Sequence, residues 1–173
     1  MPKPIRPRNL AKHAKRLAGH RSEATGRAVV TWLRRSTSAS YYAVFHAIAL
    51  SMASQIAPNA PDEDRYRFTR SVEHGKIAEV CRWVVTGGGK ENVAPIVARL
   101  RQNPQIVEIA DAFLALLQAR HQADYDHLAK VTKATALGHY RQAVNVLDLL
   151  DTLDRTRDLE DFLALIALNT PLR

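Results

Sequence analysis

Residues 33–52 read LRRSTSASYYAVFHAIALSM. Leu33, Thr37, Ser40/Tyr41, Val44, Ile48 and Met52 recur at three and four residues, the period of a helix and not of a strand. Over residues 40–50 the remaining faces are also rich in apolar and aromatic groups, which predicts a helix covered on more than one side. A helix of that kind lies at the centre of a bundle. The spacing predicts that it starts at Ser22 and Glu23, runs to about Gln55 and stops near Pro58.

The rest of the chain reads the same way. Asn9 is placed to cap a short basic helix over residues 10–18, with Gly19 ending it. Residues 57–71, with two prolines and dense charge, read as a loop. Further helices are predicted over about 72–86, 93–101, 105–122, 133–154 and 157–168. Gly87, Gly88 and Gly89 end the first of these and have neither the preceding strand nor the spacing of a phosphate loop. Asp124, Asp126 and Thr132 favour caps and turns over residues 123–132. No alternating strand pattern occurs, so the fold class is all-α. Connections of these lengths favour antiparallel neighbours, hence an up-and-down bundle.

The 173 residues suit one domain, and 46% apolar content excludes wholesale disorder. A single cysteine, Cys81, excludes a disulfide framework and a cysteine-based zinc site. No apolar run approaches the length of a spanning helix, and no apolar core follows the basic N-terminus as it would in a secretory signal. A cytoplasmic protein with no membrane contact is the expectation. The net charge of +8 is uneven: residues 1–35 hold ten Lys or Arg and one acid, Glu23, while residues 36–173 hold fifteen basic and sixteen acidic residues. Residues 1–21 therefore read as a basic arm with a short helix, and residues 22–173 as the helical bundle. Lys12, Lys15, Arg16, Arg34 and Arg35 are the candidates for contact with RNA phosphates. A solvated arm explains the same charge.

Two segments carry chemistry. In Ser40-Tyr41-Tyr42-Ala43-Val44-Phe45-His46-Ala47, Tyr42 and His46 lie four apart on one face, beside the Tyr41 and Phe45 pair. Packing with satisfied polar tips accounts for all four as well. In Arg120-His121-Gln122-Ala123-Asp124-Tyr125-Asp126-His127, Arg120 and Asp124 have ion-pair spacing. If the helix persists through residue 127, two turns bring Arg120 and His127 nearly into line, about 10 Å apart along the backbone. A guanidinium forks onto phosphate oxygens, and an imidazole exchanges a proton near neutral pH. Such a pair supports metal-independent RNA cleavage through attack of the ribose 2′-hydroxyl. A surface ion pair beside a solvated histidine fits the same spacing. Asp124, Asp126 and His127 lack obvious further ligands nearby, no zinc spacing occurs among the seven histidines, and no cofactor motif is present.

Together, SASYYAVFHAIAL (38–50) and RHQADYDH (120–127) resemble the two characteristic stretches of the HEPN superfamily, with His74-Gly75 where that family often opens its middle helix. The resemblance spans about residues 25–155. It implies a bundle of about five helices, commonly a homodimer, and a toxin or defence role, often with a small nucleotidyltransferase as partner or antitoxin. Ribonuclease members carry an Arg, four to six residues, then a His, and Arg120 and His127 match that pattern. The resemblance assigns Arg120 to phosphate and His127 to the proton or to orientation. Tyr42, His46, Asp124 and Tyr125 would shape a cleft shared by two protomers. Three functions remain open: a ribonuclease, a non-catalytic module that dimerises or docks a protein, and a nucleic-acid binder acting through residues 1–35.

Overall fold

The structure is a computed structural model describing residues 6–22 and 25–169. Among these residues the chain forms eight α-helices, one short 3-10 turn and no strand. The all-α class holds, and the helix count is eight where about five were expected. The helices are α1 (Pro7–Gly19), α2 (Val30–Ile56), α3 (Asp62–Thr69), α4 (His74–Thr86), α5 (Ala94–Leu100), α6 (Pro104–Tyr125), α7 (Lys133–Thr152) and α8 (Arg157–Leu168). None is long and apolar enough to cross a membrane.

The helix that was not expected has a local cause. Residues 62–69 are helical where a loop was expected. Pro61 precedes the helix with φ −55°, three acids fill the first turn and Arg67 the last, as the helix dipole favours. Arg65–Asp62, Arg67–Glu63 and Arg67–Asp64 pairs lace its surface, and none of its residues is buried. The helix thus rests on charge placement rather than on core packing. At the N-terminus, Pro7 takes the first helical position, so α1 begins before Asn9, which lies inside the helix and does not cap it.

The start of α2 is later than its apolar pattern implied. Ser22 instead closes a turn: its N–H bonds the Arg27 carbonyl at 2.8 Å, and its carbonyl accepts from Gly26 N–H at 2.7 Å. Gly26 has φ 61°, a left-handed conformation that glycine adopts without steric cost. Glu23, the other residue of the expected start, lies outside the described residues. Elsewhere the predicted ends agree closely. Gly87, at φ 83°, terminates α4, Asn103 caps α6, and Thr132 and Thr156 cap α7 and α8.

Side-chain contacts fix the directions of the central helices. Leu33 clusters with Ala18, and Ser36 Oγ–H donates to the Ala14 carbonyl at 2.7 Å, so α1 runs antiparallel to α2. Tyr42 meets Arg120 and Ser38 meets Asp124, so α6 also runs antiparallel to α2. Arg8 pairs with Asp148 and Asp151, and Lys15 lies over the Tyr140 ring, so α1 opposes α7. The helix of the basic segment is thus docked on the body through buried Ala11, Ala14, Leu17 and Ala18, while Lys12, Lys15 and Arg16 face solvent.

The main core joins Tyr41, Val44 and Ile48 of α2 to Ile77 and Val80 of α4, Ile109 and Phe113 of α6, Val146 of α7, and Phe162 and Ile166 of α8. Cys81 is buried within it. Polar residues buried on α2 are satisfied: Ser40 Oγ–H donates to the Ser36 carbonyl at 2.9 Å, and Thr37 Oγ1 is hydrogen-bonded to His139 Nδ1 at 3.1 Å.

Phe113 is fully buried and Phe68 of α3 is 39% exposed. Phe113→Ala should cost about 3–5 kcal/mol of unfolding free energy in urea titrations, and Phe68→Ala no more than about 0.5 kcal/mol.

Candidate functional site

Where α6 crosses the first half of α2, the two sequence segments meet. Arg120 stands on the penultimate turn of α6 with its side chain largely covered. Its Nε lies 2.7 Å from Asp124 Oδ2, and Nη2–H donates to the Tyr42 hydroxyl at 3.2 Å and, more weakly, to the Tyr125 hydroxyl at 3.4 Å. The guanidinium also lies over both rings, 5.8 Å from the Tyr42 centroid and 5.1 Å from that of Tyr125. Burial opposes the Arg120 charge, and the Tyr42, Tyr125 and Asp124 oxygens more than offset it. Asp124 is fixed from its other oxygen, which accepts from Ser38 Oγ–H at 2.6 Å. No hydrogen bond among the described residues uses Arg120 Nη1, and Nε, although close to Asp124, makes none either.

Of the supporting residues expected, Tyr42, Asp124 and Tyr125 all contact Arg120. His46 stacks near Tyr42 at 6.3 Å between centroids. His74, the first residue of α4, completes the cluster. It stacks on Phe45 at 3.8 Å, and its Nδ1 is hydrogen-bonded to the Tyr41 hydroxyl at 2.5 Å. Burial holds His46 below the ordinary histidine range, and burial followed by repulsion from Arg120 does the same for His74. Burial raises the Tyr41 hydroxyl, which stays protonated.

Helix α6 ends at Tyr125, so the two-turn alignment of Arg120 with His127 is not realised. Asp126 leaves the helix at φ −92°, ψ 102°, and its Oδ1 accepts from Leu128 N–H at 2.9 Å, an Asx-type turn that diverts the chain. His127 is exposed on that turn, and no hydrogen bond joins it to Arg120 among the described residues.

The turn is gripped by Arg34. Its Nη1 donates to the carbonyls of Ala123 and Asp126 at 3.0 and 2.9 Å, and its Nη2 to those of His127 and Ala129 at 3.1 and 2.8 Å. Carbonyls at a helix C-terminus lack intrahelical donors and carry partial negative charge, so a cation is well placed there. Arg34 was expected to meet phosphate; four of its five N–H donors are instead committed to the backbone. Nothing in the local sequence around Arg34 signals that use, because its acceptors lie about ninety residues away. Arg35 is exposed beside it and lines an open cleft of about 480 Å³ with Thr31, Arg34, Ser38, Tyr42, Ala123 and Asp124. Lys12, Lys15 and Arg16 lie on α1, outside the lining of that cleft.

Among the described residues no group of three or more His, Cys, Asp or Glu is arranged to hold a metal ion. No family model, curated protein or solved structure matches the chain.

Two outcomes follow from this geometry. Arg34→Ala should speed amide hydrogen exchange over residues 126–130 and lower stability by on the order of 2–3 kcal/mol, since hydrogen bonds to a charged donor are lost. Arg34→Lys should restore only part of this, because an ammonium cannot fork across four carbonyls. The second concerns pH. His46, His74 and His139 all have lowered values, with burial the first cause of each. The unfolded chain therefore binds more protons than the native one just below the unperturbed histidine value of about 6.5. Their stabilising contribution is intact above about pH 6.5 and is lost as pH falls through it toward the native values. The melting temperature should fall between pH 7.5 and 6, with a shallower slope in His46→Gln and His139→Gln. An unchanged slope in both would contradict it.

Proposed function

We infer that the protein is a HEPN-like, metal-independent endoribonuclease acting as a homodimer, in the manner of a toxin or defence enzyme held in check by a protein partner such as a nucleotidyltransferase. What carries this reading is the construction of the α6 end. Arg120 is seated by three side chains, and the turn after it, with His127, is held by four bonds from Arg34. The Arg120 guanidinium thus sits at the end of α6 and the exposed His127 imidazole on the turn that follows it, beside an open cleft.

In the proposed reaction Arg120 binds a phosphodiester oxygen through Nη1 and neutralises the charge that grows on the phosphoryl group. His127 takes the proton of the ribose 2′-hydroxyl. The 2′-oxygen bonds to phosphorus, the bond from phosphorus to the 5′-oxygen breaks, and water protonates the departing oxygen. The products are a 2′,3′-cyclic phosphate and a 5′-hydroxyl, and no metal takes part. The dimer would place two such sets in one cleft.

A second reading has its own observation. Tyr125 and Leu128, on and beside the same turn, are 68% and 89% exposed, as they would be on a face that docks another protein. In that case Arg120 and Asp124 form an ion pair that shapes the docking face, and RNA is not cleaved.

Cleavage of RNA in EDTA should yield cyclic-phosphate ends. Arg120→Ala and His127→Ala should each lower the rate by about 100-fold or more, and DNA should be untouched. Unchanged rates in both variants would refute the assignment. An inactive, folded wild-type dimer over a broad RNA panel would favour docking.

A further inference from the structure

The end of α6 forms a second, shallow hollow of about 470 Å³, lined by His121, Gln122, Tyr125 and Asp126. Tyr125 dominates it. The residue is 68% exposed, yet it is not loose: the Arg120 guanidinium lies 5.1 Å from its ring centroid and donates to its hydroxyl. The His121 ring stands 6.2 Å away, tilted by 57°. An aromatic side chain anchored by its polar tip and open to solvent on its ring is a platform for another flat π system. Gln122 and Asp126 complete its lining.

The chemistry of the neighbour defines the occupant. The group that anchors Tyr125 is the same guanidinium whose Nη1 makes no hydrogen bond among the described residues, so an anionic group there and a flat ring on Tyr125 would be bound side by side. A nucleotide within a strand carries that combination, its base joined through the sugar to a phosphate. We propose that the Tyr125–His121 hollow is a stacking subsite for one unpaired nucleobase of single-stranded RNA, next to the phosphate held by Arg120. Stacking tolerates any base, since each has a π-face, and it requires that the base be out of a duplex. The subsite therefore restricts the protein to unpaired RNA without a strict sequence. This rests on the ribonuclease reading for the role of Arg120 but concerns binding, which is measured apart from cleavage.

The test uses the full-length protein and a 2′-O-methylated oligoribonucleotide, which cannot be cleaved, carrying a single 2-aminopurine whose fluorescence falls on stacking. Wild type should bind the single strand and quench the probe. Tyr125→Leu should weaken binding by about 5- to 150-fold and abolish quenching. Tyr125→Phe, which keeps the ring, should restore both to a large extent, and a helical circular dichroism spectrum like that of wild type confirms that each variant is folded. His127→Ala should lose cleavage of ordinary RNA yet keep the quench, so failure of the catalytic assignment and failure of the subsite are told apart. The proposal is overturned if no strand binds, if Tyr125→Leu binds and quenches like wild type, or if the duplex form binds equally well. It is also overturned if adenosine monophosphate competes at the same concentration as the oligonucleotide, which would make the hollow a site for free nucleotides.

Discussion

A helix with apolar side chains on most of its circumference cannot turn any broad face to water, and α2 is such a helix. Tyr41, Val44, Phe45, Ile48, Ala49 and Met52 are all buried, as are Leu33, Ser36, Thr37 and Ser40 near its start. Each neighbouring helix has a place because α2 needs cover there. α1 covers the early small residues, α7 meets Thr37, and α6 and α4 meet Tyr41. The small side chains of the first half matter as much as the large ones of the second. They let α1 come close enough for the Ser36 hydroxyl to reach a backbone carbonyl.

The candidate site follows from that burial. Because α2 is held by its inner faces, the residues at the edge of its contact with α6 are set against a rigid support. Tyr42 presents its hydroxyl to Arg120, Ser38 fixes Asp124, and Arg34 closes over the end of α6. These three residues are four apart and form one stripe along α2. Each handles one polar problem at the C-terminal end of α6: a largely covered cation, its carboxylate partner, and the carbonyls left without donors. Chemistry at this end would therefore be preorganised by α2, with little contributed by α6 alone.

Much of this was legible in the sequence. The periodicity of α4, α6, α7 and α8 gave their ends to within a few residues, because caps such as Thr132 and the glycine at 87 act locally. The i,i+4 pairing of Arg120 with Asp124 was readable for the same reason. What escaped depended on distant or subtle terms. Helix α3 hides under proline and charge because no buried residue marks it. Pro7 outranked Asn9 as the start of α1, and the 26-position glycine turned a plausible helix start into a turn. The bond from Tyr41 to His74 and the Arg34 grip join residues far apart in sequence, so no local pattern reports them. The helix-through-127 premise failed at one residue, Asp126, whose side chain bonds the backbone two residues on.

The central claim is that Arg120, seated against α2, is where an RNA phosphate binds. Its most direct test is NMR of the arginine Nε–Hε and histidine ring signals during titration with a 2′-O-methylated single-stranded dinucleotide. The account predicts that Arg120 shifts first and saturably, together with His127 and His121, while Arg34 stays fixed on its carbonyls. Shifts confined to α1, around Lys12, Lys15 and Arg16, with the Arg120 signal unmoved, would contradict it.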